Sequence, residues 1–332
     1  MIGASRNGRR FRVLGALALP LLFLIGGIRF AEPQAQPPGN GLELEDYRIS
    51  VNVDLVVLQA TVRDGKGRFS SDLRERDFEI YEDGVRQSIR LFRHEDAPVT
   101  VGLVVDHSGS MRRKLADVIA AARTFVHSSN PDDEMFVVNF NERVSLGLAA
   151  THHFTNQLGE LESAILQTPA TGRTALYDAI AKALDELRGA GCEKKVLIVI
   201  SDGGDNASKR KLADVLRMAD QSGAMLYTIG IFDDEDPDRN PGVLHRLASA
   251  TGGEAYIPEN FAELPAVCER IARDIRHQYT IGYVSTNPAK AGAYHNIRVA
   301  AKAPGAGRLS VRARDGYIVA GESRTGKNEG AR

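Results

Sequence analysis

The sequence predicts an α/β protein in which a doubly wound, mostly parallel sheet of Rossmann-like type is joined to a discontinuous β-sandwich built from the two flanks of the chain. Three observations carry that expectation. Strand-like apolar runs alternate with helix-periodic segments throughout residues 99–277, which demands a mostly parallel sheet covered by helices on both faces. On either side the chain offers only short β-runs, separated by Gly, Pro and Asp-Gly turns. Each flank is too small to enclose a core comfortably by itself. In a doubly wound domain the first strand enters, and the last helix leaves, on the side opposite the strands' carboxyl ends. Both flanks therefore emerge together and can pair with each other.

The chain opens with "MIGASRNGRRFR", which carries Arg6, Arg9, Arg10 and Arg12 and no acid. Val13 to Ile28 follow without a charge, and a basic start before such a stretch reads as an export signal. The stretch falls short of the roughly 20 residues of a comfortable membrane span. Arg29 and Phe30 intrude where a small-x-small cleavage site would lie, so residues 1–30 fit either a signal peptide or an N-terminal anchor. The expected location is the periplasm or cell envelope, with the protein secreted or N-terminally anchored. Residues 31–45, rich in Pro, Gln and Gly, read as a linker.

Residues 46–97 supply the first part of the sandwich, "ISVNVDLVVLQATV" and "DFEIYEDGVRQSIRLFRH". Asp83-Gly84 sits between alternating segments of the second run and signals a hairpin. Residues 98–277 form the α/β domain. "VTVGLVVD" is apolar throughout, as a strand buried on both faces should be. Leu115, Val118, Ile119, Ala122 and Val126 then recur at helical spacing. Further strand–helix pairs follow through "KKVLIVISD" and "AMLYTIGIF" to the helix "FAELPAVCERIARDI". Residues 278–320 return to β character in "QYTIGYVS", "AYHNIRVAAKA" and "RLSVRARDGYIVA", the second part of the sandwich, and residues 321–332 read as a disordered tail.

A net charge of -1 over 332 residues gives no sign of a nucleic-acid partner. The absence of Trp, with aromatics at 6%, argues against an aromatic-lined sugar or single-strand groove. Cys192 and Cys268 make no disulfide framework; they read either as two separate buried thiols or, in an oxidising compartment, as a single pair. No P-loop, no G-x-G-x-x-G and no G-x-S-x-G elbow is present.

"VVDHSGSM" raises three chemistries: a nucleophile, a metal cradle, or a polar turn that caps the next helix. Ser108 lacks the elbow, and His107 beside it should point the other way, so it has no base. Ligands of such a sheet bind beyond the strands' carboxyl ends. Asp106 ends the first strand of the domain, Asp202 ends a central one, and Thr174 opens a helix between them. Taken singly, Ser108 or Ser110 reads as a helix cap, Thr174 as another, and Asp202 as an Asx-turn residue. Taken together they form a cradle of oxygen ligands suited to a hard divalent cation, with Mg²⁺ first and Mn²⁺ or Ca²⁺ as alternatives. No Cys/His cluster competes for zinc.

Asp106-His-Ser108-Gly-Ser110, then Thr174 in "GRTALYD", then Asp202 in "SDG" resemble the metal-ion-dependent adhesion site of von Willebrand factor A domains. The resemblance covers roughly residues 98–277 and leaves out the flanks. It implies that Ser108, Ser110 and Thr174 contact the ion, that Asp106 and Asp202 hold it directly or through water, and that a protein partner's Asp or Glu completes the shell. The arrangement of flank, A domain and flank behind a signal is also similar to exported bacterial proteins of this group. The expected function is thus an exported, non-enzymatic, metal-dependent protein-binding module. A scaffold of an envelope assembly with a purely structural metal is the alternative. The acidic run Asp233, Asp234, Glu235, Asp236 and Asp238 reads either as a solvated loop or as a second cation site.

Overall fold

The structure, a computed structural model, describes residues 55–149, 151–232, 239–287, 292–305 and 307–319. The export signal or anchor, the linker, the acidic loop 233–238 and the tail 321–332 lie outside the described residues. Among the described residues no helix is long and apolar enough to cross a membrane.

The N-terminal flank folds as β1 (Leu55–Arg63), β2 (Phe78–Glu82), β3 (Val85–Gln87) and β4 (Ile89–Arg93). β2 and β3 form the hairpin signalled by Asp83-Gly84. Both turn residues take positive φ, 48° and 85°, as a two-residue type I′ turn requires. The α/β domain then runs β5 (Val99–Asp106), α1 (Leu115–Ser128), β6 (Glu134–Phe140), β7 (Val144–Leu146), α2 (Leu158–Leu166) and α3 (Leu176–Glu186). It continues as β8 (Lys194–Ser201), α4 (Leu212–Ser222), β9 (Met225–Gly230), α5 (Pro241–Ala250), β10 (Ala255–Tyr256) and α6 (Leu264–Arg276). The C-terminal flank adds β11 (Gln278–Val284), β12 (Tyr294–Ala301), β13 (Ser310–Arg312) and β14 (Gly316–Ile318).

The central sheet has the order β10-β9-β8-β5-β6-β7, parallel except where β7 turns back antiparallel against β6. Strands buried on both faces alternate between two cores. Val101, Leu103 and Val105 pack with α1, α2 and α6. Val104, Leu197 and Val199 pack with α3, α4 and α5. Gly102 is dictated by this packing, because an added Cβ would lie 2.5 Å from both Leu197 Cδ2 and Phe136 Cζ. In α3 the buried residues Leu176, Ala179, Ile180, Ala183 and Leu184 form the stripe that seats it on the sheet.

The flank strands interleave in two four-stranded sheets, β13-β1-β11-β4 and β14-β12-β2-β3. Each sheet takes strands from both ends of the chain, and Leu58, Phe78, Ile80, Tyr279, Ile281 and Tyr283 pack between them. Two expectations are refined here. "VRQSIRLFR" divides at Ser88, so that β3 and β4 lie in different sheets. "RLSVRARDGYIVA" divides likewise into β13 and β14, one in each sheet. In both cases the partner that fixes the strand is distant in sequence, β11 for β4 and β1 for β13.

Candidate metal site at the carboxyl end of the sheet

β5 and β8 lie side by side and parallel, with Val105 opposite Ile200. Their carboxyl ends therefore deliver Asp106 and Asp202 to the same rim. Asp106 has no exposed surface, and Asp202 is 2% exposed. Asp106 Oδ1 accepts the Ser108 amide at 2.8 Å, which turns the chain sharply out of the strand. Asp106 Oδ2 accepts the Ser201 hydroxyl at 2.6 Å. Asp202 Oδ1 accepts the Gly204 amide at 3.0 Å, the Asx turn read from the sequence. The Ser108 and Ser110 hydroxyls lie 3.0 Å apart, and Ser110 donates to Asp202 Oδ2 at 2.7 Å.

Four of the five residues are thus tied together by direct hydrogen bonds. Thr174 joins through backbone. The Thr171 amide donates to the His107 carbonyl at 2.9 Å and the Gly109 amide to the Gly172 carbonyl at 3.1 Å, which stitches the Thr174 loop to the Ser108 loop. Gly172 makes this approach possible: its φ is +81°, and a Cβ there would meet Glu142 Oε2 at 1.7 Å. The Thr174 amide donates to Asn206 Oδ1 at 3.0 Å, and its carbonyl accepts from Asn206 and Ala207, which anchors it to the loop after β8.

The electrostatics favour a cation. Burial first, and the neighbouring charge of Asp202 second, push the Asp106 carboxyl up to about 7. Its hydrogen-bond donors, the Ser201 hydroxyl and the Ser108 amide, are neutral. A buried carboxylate without a cation is costly, and a bound divalent ion removes that cost. The 3.0 Å and 2.7 Å separations along Ser108, Ser110 and Asp202 are ordinary hydroxyl hydrogen bonds, and they gather three oxygens close enough to turn toward one hard cation.

Several readings change. Neither Ser108 nor Ser110 caps a helix through its side chain; a short 3₁₀ turn, Gly109–Met111, intervenes and α1 begins only at Leu115. Thr174 does not cap α3 either, since Ala175 holds that position. The Ser108 and Ser110 hydroxyls bond each other and Asp202 instead of helix amides. His107 turns away from Ser108 to bond Asn139 Oδ1 at 3.1 Å, and burial lowers its affinity for a proton. Cys268 is buried and Cys192 half-buried, both as free thiols. Ser201 escaped the sequence reading; it holds Asp106 only because of the β5–β8 register, which no local pattern reveals. A second group that sequence reasoning missed is Glu82, Asp83 and His295 in the sandwich, whose ligand atoms lie within 4.8 Å of one another. Its oxygens already accept from Tyr283 at 2.6 Å, Asn296 at 2.9 Å and Ser285 at 2.5 Å, so the group works as a latch across three strands.

Comparison with known proteins adds the family context. The profile of the von Willebrand factor type A domain matches residues 100–270, just over half of the chain. No curated protein matches the chain. Among solved structures it is similar to a von Willebrand factor type A protein from Catenulispora acidiphila, at 15% identity over 81% of this chain and 74% of that one, with a TM-score of 0.48. It is also similar to the von Willebrand factor domain of a type V pili tip protein from Porphyromonas gingivalis, at 16% identity over 54% of this chain and 95% of that one, TM-score 0.46. An aerotolerance-related membrane protein from Bacteroides fragilis matches at 15% identity over 53% of this chain and 98% of that one, TM-score 0.44.

Proposed function

The chain belongs to the von Willebrand factor type A domain family, and from that premise we propose that it is an exported protein-binding module that captures a partner's Asp or Glu carboxylate on a Mg²⁺ ion held by Asp106, Ser108, Ser110, Thr174 and Asp202. One observation carries the reading. The hydroxyl and carboxylate oxygens of Ser108, Ser110 and Asp202 converge within hydrogen-bond distance of one another at the rim, in the loops that also hold the buried carboxylate of Asp106.

The protein supplies fewer oxygens than the ion's six positions, so a place remains for water or for an incoming carboxylate. When bound, the ion supplies a Lewis-acidic position at the rim. The chain's own part is to fix the donors. Ser201 and the Ser108 amide orient Asp106, the Gly204 amide orients Asp202, and the Asn206 side chain holds the Thr174 backbone. The proposed role is binding without catalysis, a reading supported by the contact of His107 with Asn139 rather than with Ser108. Export rests on the basic start and the apolar run Val13 to Ile28.

Isothermal titration with Mg²⁺ and with Mn²⁺ tests the site. One saturable site is expected for the full chain and none for Asp106→Ala. Absence of binding in both, or equal binding in both, would overturn it. Retention of a partner from an envelope extract should then disappear in EDTA and return on adding Mg²⁺.

A further inference from the structure

At the opposite end of the α/β domain, between the outer face of the sheet β13-β1-β11-β4 and the start of β8 and β9, lies a cavity of about 1000 Å³. Its size is at the upper end of small-molecule pockets, about 300–1,000 Å³. One wall is apolar. Leu55 and Val57 turn out from the sandwich with 42% and 40% of their surface exposed, and Leu91 and Met225 also line the space.

The opposite wall carries an unusual cation. Lys194, the first residue of β8, is only 7% exposed yet makes no hydrogen bond or ion pair among the described residues. Burial pushes its ammonium down, against the weaker pull of Asp96, Glu95 and Asp133. Two of those carboxylates are committed elsewhere: Asp96 accepts Arg276 at 2.6 Å, and Asp133 accepts the Val99 and Asn130 amides, each at 2.9 Å. Glu193, which also lines the cavity, is taken by Arg93 at 3.2 Å. Glu95 is solvent-exposed. Arg314 lines the same cavity, its Nε buried without a hydrogen-bond partner and its guanidinium over the Tyr317 ring. Little exposed and without a direct hydrogen bond, the Lys194 ammonium can pair with an anion that enters the cavity.

We propose that this cavity binds a single-chain anionic amphiphile, with its carboxylate or phosphate head at Lys194 and its alkyl chain along Leu55, Val57 and Leu91. Four cationic side chains against two carboxylates line the space, so the lining complements a negative head. The strip of Leu55, Val57 and Leu91 gives the alkyl chain a place out of water. This site is separate from the rim of Asp106 and does not depend on a metal.

Isothermal titration of the full chain in EDTA with dodecanoate, below its micelle concentration, tests the proposal, since chelation removes any carboxylate binding at the rim. One saturable site is expected. Lys194→Met should weaken binding at least tenfold, Asp106→Ala should leave it unchanged, and uncharged dodecanol should bind at least tenfold more weakly than dodecanoate. Dodecyl phosphate in a parallel arm distinguishes a phospholipid-like source from a fatty acid. Val57→Trp, placed on an exposed position of the facing wall, should also abolish binding, which covers the case of a Lys194 variant that does not fold. No saturable binding of either anion, or binding that survives both substitutions in folded protein, would overturn the proposal, as would dodecanol binding as tightly as dodecanoate.

Discussion

Asp106 illustrates how a single buried side chain ties stability to pH. Burial and the charge of Asp202 push its carboxyl up to about 7, from an ordinary value of 3.8. Between those values the folded, chelated protein holds a proton that the unfolded chain has already released. Stability therefore falls as pH rises through this window, and the loss is complete above about pH 7, on the order of 4 kcal/mol. In EDTA, the unfolding temperature should drop between about pH 5 and about pH 8 more steeply for the wild type than for Asp106→Asn. Adding Mg²⁺ at the higher pH should raise the wild-type value and leave Asp106→Asn unmoved. Parallel pH profiles for the two proteins, followed by scanning calorimetry, would contradict this account.

Among the elements, α6 couples the two halves of the molecule. Asp274 near its end is fully buried and meets Arg63 of β1 at 3.2 Å, Arg312 of β13 and the hydroxyl of Tyr227 in β9. Glu254 takes the same Arg63 at 3.0 Å. Removing the Asp274 charge leaves Arg63 and Arg312, both part-buried, with Glu254 still beside them at 3.0 Å and 3.6 Å, so the cost falls at or below the lower end of the about 3–5 kcal/mol typical of a broken buried pair. Asp274→Asn should lower the free energy of unfolding in urea by about 3 kcal/mol, and a change below about 1 kcal/mol, the scale of an exposed pair, would show that water already compensates the arginines. This cluster was invisible in the sequence. Arg63 and Asp274 are 211 residues apart, and nothing near either marks the pairing. What the sequence makes legible is local: the alternation of strands and helices, the hairpin at Asp83-Gly84, and the strand ends that carry Asp106 and Asp202. Strand partners are non-local, so Ser88 and the break after Arg312, where the chain changes sheets, and Ser201, set by register, become visible only in three dimensions.

At the scale of the whole molecule, the order of the sheets decides what can fold without what. β1 has β11 and β13 as its neighbours, both from the far end of the chain, and β2 lies between β12 and β3. A protein ending at residue 277 would keep the six-stranded sheet with both faces covered, but β1 and β4 would have no strand beside them. Of the sandwich's strand pairs only the β2–β3 hairpin would remain, and a two-stranded hairpin is marginal alone. Leu58 and Ile80, both at 0% exposure in the full chain, would face water. Limited proteolysis of that truncated protein should therefore remove the N-terminal flank rapidly and leave a resistant fragment close to residues 98–277, whereas the full chain should resist cleavage between residues 55 and 93. A flank that stays protected after truncation would mean that β1 to β4 hold a core of their own, and that the sandwich does not need both ends of the chain.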